Sequence, residues 1–138
     1  LRHSEQGGTL AVTTKEYAGT FGSYIIGARD PDGGFEDVGD VAGVDRVRDA
    51  EIQREIMREG LFTGERYERP SASGVRPGYY LRPSIVITVK FEGITRDTVT
   101  GDLRLRDPKI AVIRSDKSAH EADTLNAIEE VYLRQRVG

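Results

Sequence analysis

Ile85-Val86-Ile87-Thr88-Val89-Lys90-Phe91-Glu92 sets Ile85, Ile87, Val89 and Phe91 in alternation with Val86, Thr88, Lys90 and Glu92. Successive side chains of a strand point to opposite faces, so this period of two predicts a strand with one face in a core and the other mostly polar. The signal extends over Tyr80 to Arg96 and is the strongest in the chain. Upstream, residues 63–78 are rich in Gly, Ser, Pro and charge without sustained periodicity, which predicts a surface loop, longer than average and so functional or mobile. Before it, Asp45 is placed to cap a helix running to Glu59, with Val47, Ile52 and Ile56 on one face and Gly60 as its stop. Thr9 to Thr14 and Phe21 to Ala28 have strand composition. Asp30-Pro31-Asp32-Gly33-Gly34 predicts a tight turn returning into a strand over Phe35 to Val41. Residues 1–8, ending in Gly7-Gly8, read as a flexible lead-in to one domain over 9–138.

Downstream, Asp97 to Asp102 turns into Leu103-Arg104-Leu105-Arg106-Asp107-Pro108-Lys109, whose alternation gives an edge strand a basic face. Pro108 lacks a backbone donor and predicts an edge or a break. Ile110 to Ile113 is apolar enough for a second buried run, after which Arg114 and Lys117 return charge beside Asp116. Ser118-Ala119-His120-Glu121 has the form of a capping box opening a helix, with Leu125, Ile128 and Tyr132 as its apolar stripe. Five or six short strands, an intervening helix and glycine-rich turns predict an all-β-dominated fold with two helices. The natural candidate is a five-stranded Greek-key OB barrel with a helix between strands and a C-terminal helix.

Composition bounds the function. The 138 residues contain no cysteine, which removes disulfides and thiolate metal sites. The net charge of −3 argues against gripping nucleic acid through the overall field. Its distribution is uneven: residues 1–60 carry 7 Lys+Arg against 12 Asp+Glu, residues 61–117 carry 11 against 7, and the remainder 2 against 4. An anionic partner is therefore expected at the middle block. No apolar run reaches bilayer length and no secretory signal opens the chain, so a cytoplasmic, or nuclear or nucleoid-associated, location is expected and no membrane partner. A first residue of Leu1 suits a fragment of something longer. His3 and His120 are too far apart in character to suggest a metal site, and Asp30 and Asp32 are explained by turn chemistry. Tyr67, Tyr79 and Tyr80 could stack on bases as in single-strand-binding OB folds, although packing at a barrel rim is the commoner role for such residues.

Several spaced motifs together resemble one family. Gly19-Thr20-Phe21-Gly22-Ser23-Tyr24-Ile25-Ile26-Gly27-Ala28, then Phe35-Glu36-Asp37-Val38-Gly39-Asp40-Val41, then Ile85 to Arg96, are similar to strands of the C-terminal OB domain of ATP-dependent DNA ligases, especially the archaeal type. Most specific is Leu105-Arg106-Asp107-Pro108-Lys109 with Arg114-Ser115-Asp116-Lys117 and Glu121-Ala122-Asp123-Thr124, which resembles that family's final nucleotidyltransferase motif. The resemblance implies a domain that swings over the nucleotide pocket of a separate adenylation domain and orients the pyrophosphate of ATP as leaving group. AMP then passes to a 5′-phosphate at a nick, and the 3′-hydroxyl seals it.

On this resemblance Arg106, Lys109, Arg114 and Lys117 are the expected phosphate contacts, with Asp116 orienting the basic pair. Lys90, Arg104 and Arg106 are the expected nucleic-acid contacts. ATP and Mg are implied for the full-length enzyme, neither bound tightly by this part. The implied partners are nicked double-stranded DNA and the adenylation domain of the same polypeptide, with this part a monomer. The sequence departs from the family at Asp107, where an aromatic wedge is usual, at Lys109 in place of a second Arg, and at Asp40 in place of Lys. No lysine of the chain begins a Lys-x-Asp-Gly motif, so the chain alone is expected to be inactive. The alternative is a non-catalytic OB module that binds single-stranded nucleic acid or a protein partner.

Overall fold

The structure is a computed structural model that describes residues 8–17, 22–71 and 74–137. Its elements in order are β1 (Gly8–Tyr17), β2 (Tyr24–Arg29), β3 (Phe35–Val41), α1 (Arg46–Glu59), β4 (Phe62–Ser71) and β5 (Gly74–Leu81). There follow β6 (Val86–Phe91), β7 (Gly93–Arg96), β8 (Leu103–Arg106), β9 (Lys109–Ile113) and α2 (Leu125–Val137). Residues 1–7 of the expected lead-in, and Phe21 of the second expected strand, lie outside the described residues.

The barrel follows the path β3-β2-β1-β6-β9, with every ladder antiparallel. This is the OB-type, mostly β architecture expected from the sequence. β1 is the shared strand: Gly8 to Thr13 pair with β6, and its far end pairs with β2 and touches β5. The expected core face is present, since Ile85, Ile87, Val89 and Phe91 are buried, but the other face is open only toward the end of the strand: Lys90 and Glu92 are exposed, Thr88 is half-buried and Val86 is buried. With Val12, Tyr24, Ile26, Ile52, Ile56 and Ile128 the first four make one continuous core. Burial of side chains this size stabilises by about 1.5–3 kcal/mol each. The helix expected from Asp45 is α1: Asp45 accepts from the Arg48 N–H at 2.9 Å, and Gly60 ends it with left-handed backbone (φ 61°). Inside the core, Tyr24 donates its hydroxyl to buried Asp49 of α1 at 2.6 Å and accepts from Gln53 at 2.8 Å, which fixes how the helix seats on β2.

Several expectations are corrected. The loop expected over 63–78 is instead strand over residues 63–71 and 74–78, paired as β4 and β5, while residues 72 and 73 lie outside the described residues. Thr63 to Arg66 and Glu68 are exposed, so the first half of β4 lacks the apolar alternation that announces a strand. Tyr80 to Arg96 is not one strand: β5 ends at Leu81, β6 begins at Val86, and the chain breaks again at Glu92 between β6 and β7. Val47 is 71% exposed and takes no part in the buried face of α1. Of the run Ile110 to Ile113 only Ile110 is buried, and Val112 is half exposed. The Ser118 turn closes as expected at its carboxylate, with Glu121 accepting from the Ser118 N–H at 2.9 Å, but it forms a single 3-10 turn. Thr124 caps α2 instead, accepting from the Ala127 N–H at 3.1 Å.

One irregularity lies beside the basic stretch. In the β6–β9 ladder Ile110 stands opposite Val89 and Val112 opposite Thr88, so Ala111 is an extra residue, a bulge. Arg48 of α1 reaches that point and donates Nη1 to the Ile110 carbonyl at 2.9 Å and Nη2 to the Ala111 carbonyl at 2.7 Å.

Candidate functional site

The outer face of β6 and β9 gathers cations. Lys90 and Lys109 are register partners and both are exposed. Like charges directly opposed across a ladder repel, and an anion laid over them reverses the sign of that term. Lys109 reaches Asp107 at 3.3 Å, and among the described residues Lys90 has no carboxylate partner. Arg114, just beyond β9, donates its backbone N–H to the Val86 carbonyl at 2.8 Å and its Nη1 to Thr88 Oγ1 at 3.2 Å. Its guanidinium thus lies on the face that holds Lys90.

Asp116 aims that guanidinium. Arg114 Nε and Nη2 donate to its two carboxylate oxygens at 2.9 and 2.8 Å, a bidentate fork. The hydrogen bond from Arg114 is the main reason the Asp116 carboxyl is held down to about 2; its own backbone N–H and the charges of Arg114 and Lys117 add to this. The same hydrogen bond raises the Arg114 pKa above its ordinary value. The Arg114 side chain is 29% exposed, which leaves part of the guanidinium open to a ligand. Lys117 follows on a turn closed by its N–H on the Arg114 carbonyl at 3.3 Å. Between this turn and α1 lies a cleft of about 380 Å³, lined by Glu51, Arg54, Glu55, Arg58 and Glu59 of α1 together with Ile85, Arg114 and Lys117.

The remaining candidates sit apart from that turn. Arg106, at the end of β8, is exposed and donates only to the Glu92 carbonyl at 3.4 Å among the described residues. Asp107 beside it has left-handed backbone (φ 53°), alone among the described non-glycine residues. Arg104 turns toward β3, where it bonds Asp37 and Asp40 at 3.1 Å each. Asp40, a departure from the family's lysine, is therefore the partner of a nearby arginine. Sequence reasoning missed Thr88 and Arg48. Thr88 was visible only as a polar position in an alternating strand, and nothing local marks Arg48, whose acceptors lie 62 and 63 residues away.

The donor set suits a polyphosphate, since Lys90, Lys109, Arg114 and Lys117 offer only N–H donors and positive charge. It does not suit a resident metal: the described residues contain no group of three or more His, Asp or Glu that could hold one. No described helix is long and apolar enough to cross a membrane. Tyr79 packs edge-on to Phe62 with centroids 6.3 Å apart, and Arg66 lies over its ring at 5.5 Å.

Fold and face together define an OB-fold domain that presents a cationic strand. Residues 17–117 match the model of the ATP dependent DNA ligase C terminal region, and the chain belongs to that family. Among its relatives, a DNA ligase of Methanococcoides burtonii is 37% identical over 122 residues, 86% of this chain and 20% of that protein. A probable DNA ligase of Anaeromyxobacter is 33% identical, with 80% of this chain and 20% of that protein covered. The chain spans about a fifth of the length of these relatives. Among solved structures, a mycobacterial DNA ligase D complexed with ATP and MES superposes with a TM-score of 0.59 at 25% identity, over 85% of this chain and 38% of that one.

Proposed function

We propose that residues 9–138 are the OB-fold domain of a longer ATP-dependent DNA ligase, and that Arg114 and Lys117 orient the pyrophosphate released when ATP adenylylates the enzyme. The observation that carries this is the Asp116–Arg114–Thr88 arrangement. It holds a guanidinium rigidly at the end of a strand beside a second cation, with part of it open. In the reaction a lysine of a separate adenylation domain attacks the α-phosphorus, the bond to the β-phosphate oxygen breaks, and negative charge builds on the departing pyrophosphate. Fixed cations at that oxygen lower the barrier because they need no reorganisation as the charge develops. AMP then passes to a 5′-phosphate, and a 3′-hydroxyl displaces it.

Lys90, Lys109 and Arg106 are suited to the backbone of the nicked duplex. Arg104 would reach the polymer only by exchanging Asp37 and Asp40 for phosphate. Mg, for which the described residues offer no ligand cluster, would arrive on the nucleotide. The domain would act as a monomer, in the cytoplasm or on the nucleoid, against the adenylation domain of its own polypeptide.

The test uses the complete polypeptide. Arg114→Ala or Lys117→Ala should lower self-adenylylation by about a hundredfold, the scale of losing one charge-stabilising donor, while sealing of pre-adenylylated nicked DNA stays comparatively intact. Equal losses in both steps would contradict the leaving-group role. A complete polypeptide without a Lys-x-Asp-Gly adenylation domain would sink the reading and leave a non-catalytic OB module.

A further inference from the structure

The two walls of the cleft beside Arg114 are tied to each other. Arg48 of α1 grips the Ile110 and Ala111 carbonyls of β9 at 2.9 and 2.7 Å. From that tie the helix runs six residues to Arg54, about 9 Å at roughly 1.5 Å per residue. The chain of β9 runs three residues from Ala111 to Arg114, about 10 Å at roughly 3.3 Å per residue. Both side chains then line the one cleft of about 380 Å³, a size within the roughly 300–1,000 Å³ of small-molecule sites.

Most charges of that cleft are engaged. Arg58 donates to both carboxylate oxygens of Glu55 and lies 3.2 Å from Glu59. Arg114 is forked on Asp116, with part of its guanidinium open. Arg54 is exposed, and neither it nor the Lys117 ammonium makes a hydrogen bond or ion pair with any described residue. Of the lining carboxylates Glu51 alone has no partner among the described residues, so four cations stand against three carboxylates, two of them held by Arg58. The core does not need Arg54: it is two positions from each of the fully buried Ile52 and Ile56, about 200° round the helix from either. An unpaired guanidinium that shares a cleft with two further cations repels them, and an anion among the three turns that repulsion into attraction.

We propose that Arg54 is a third cation for the departing pyrophosphate, taking its far phosphate while Arg114 and Lys117 hold the phosphate that was bonded to AMP. Pyrophosphate is charged at both ends, and a planar guanidinium matches the oxygens of a phosphate. The inference rests on the leaving-group reading and adds to it a residue from a helix outside the basic motif.

The test runs adenylylation backward in the complete adenylylated polypeptide, with inorganic pyrophosphate as the probe. A pyrophosphate oxygen attacks the α-phosphorus, the bond to the lysine nitrogen breaks, and ATP reforms as that nitrogen takes up a proton. Arg54→Ala should raise the pyrophosphate concentration needed for half-maximal rate by about tenfold, the scale of one lost hydrogen bond to a charged group. Arg54→Lys should recover part of the loss, while urea unfolding and sealing of pre-adenylylated nicked DNA stay native in both variants. An unchanged pyrophosphate requirement in Arg54→Ala would overturn the assignment. So would a loss of sealing of the same size, the mark of a merely structural role. If Arg114→Ala also leaves the requirement unchanged, the leaving-group reading itself falls; a response in Arg114→Ala alone removes Arg54 only.

Discussion

Arg48 and Ala111 are joined across the barrel end, with the guanidinium Nη2 2.7 Å from the carbonyl oxygen, and the same guanidinium serves Ile110. A bulge leaves carbonyls without ladder donors, and Arg48 supplies both. Arg48→Ala should therefore destabilise the domain by about 2 kcal/mol, the scale of two part-buried carbonyls losing charged donors. Urea unfolding measures this. Arg48→Lys should recover less than half, because an ammonium cannot span two acceptors as a fork does. Full recovery by lysine would show that charge alone matters there.

Asp116 supplies the pH prediction. Its folded-state pKa is depressed to about 2, chiefly by the hydrogen bond from Arg114. A depressed carboxyl contributes stability above its unfolded pKa, near 3.9, and loses it as pH falls toward 2. The Arg114–Asp116 fork should accordingly persist unchanged across neutral pH and open only in strong acid. Carboxyl NMR titration should place Asp116 near 2 in the native domain and close to its ordinary value in Arg114→Met. A native midpoint near 4 would remove the fork as the device that aims Arg114.

Asp107 occupies backbone that residues with a Cβ resist, at a cost of roughly 1–2 kcal/mol, which Asp tolerates better than most. Asp107→Gly should be neutral or stabilising by about 0.5 kcal/mol. Asp107→Phe, which restores the family's aromatic, should cost about 1 kcal/mol by denaturant unfolding. If phenylalanine is accepted at no cost, the turn between β8 and β9 is able to change its backbone to suit the side chain.

Elements that bury one face were legible. β6 announced itself by alternation, α1 by Asp45 and Gly60, and the turn after β2 by Asp30, whose Oδ1 accepts from the Asp32 and Gly34 N–H groups at 2.9 Å each. The start of β4 was not, because Thr63 to Arg66 and Glu68 are exposed and leave no apolar period to display. The candidate site was legible as a list of cations but not as an arrangement. The cap of α2 at Thr124 was hidden behind a better-looking one at Ser118. Arg104 read as a basic outward residue because its carboxylates lie 64 and 67 positions earlier in the chain.

The extra residue Ala111 has one further effect. Lys109 and Arg114 are five positions apart, and in an unbroken strand an odd separation sends two side chains to opposite sides. One inserted position restores even parity: Lys109 aligns with Lys90, and Arg114 reaches Thr88, two residues earlier on that same strand. The two halves of the basic motif can meet one polyanion because the strand between them miscounts by one.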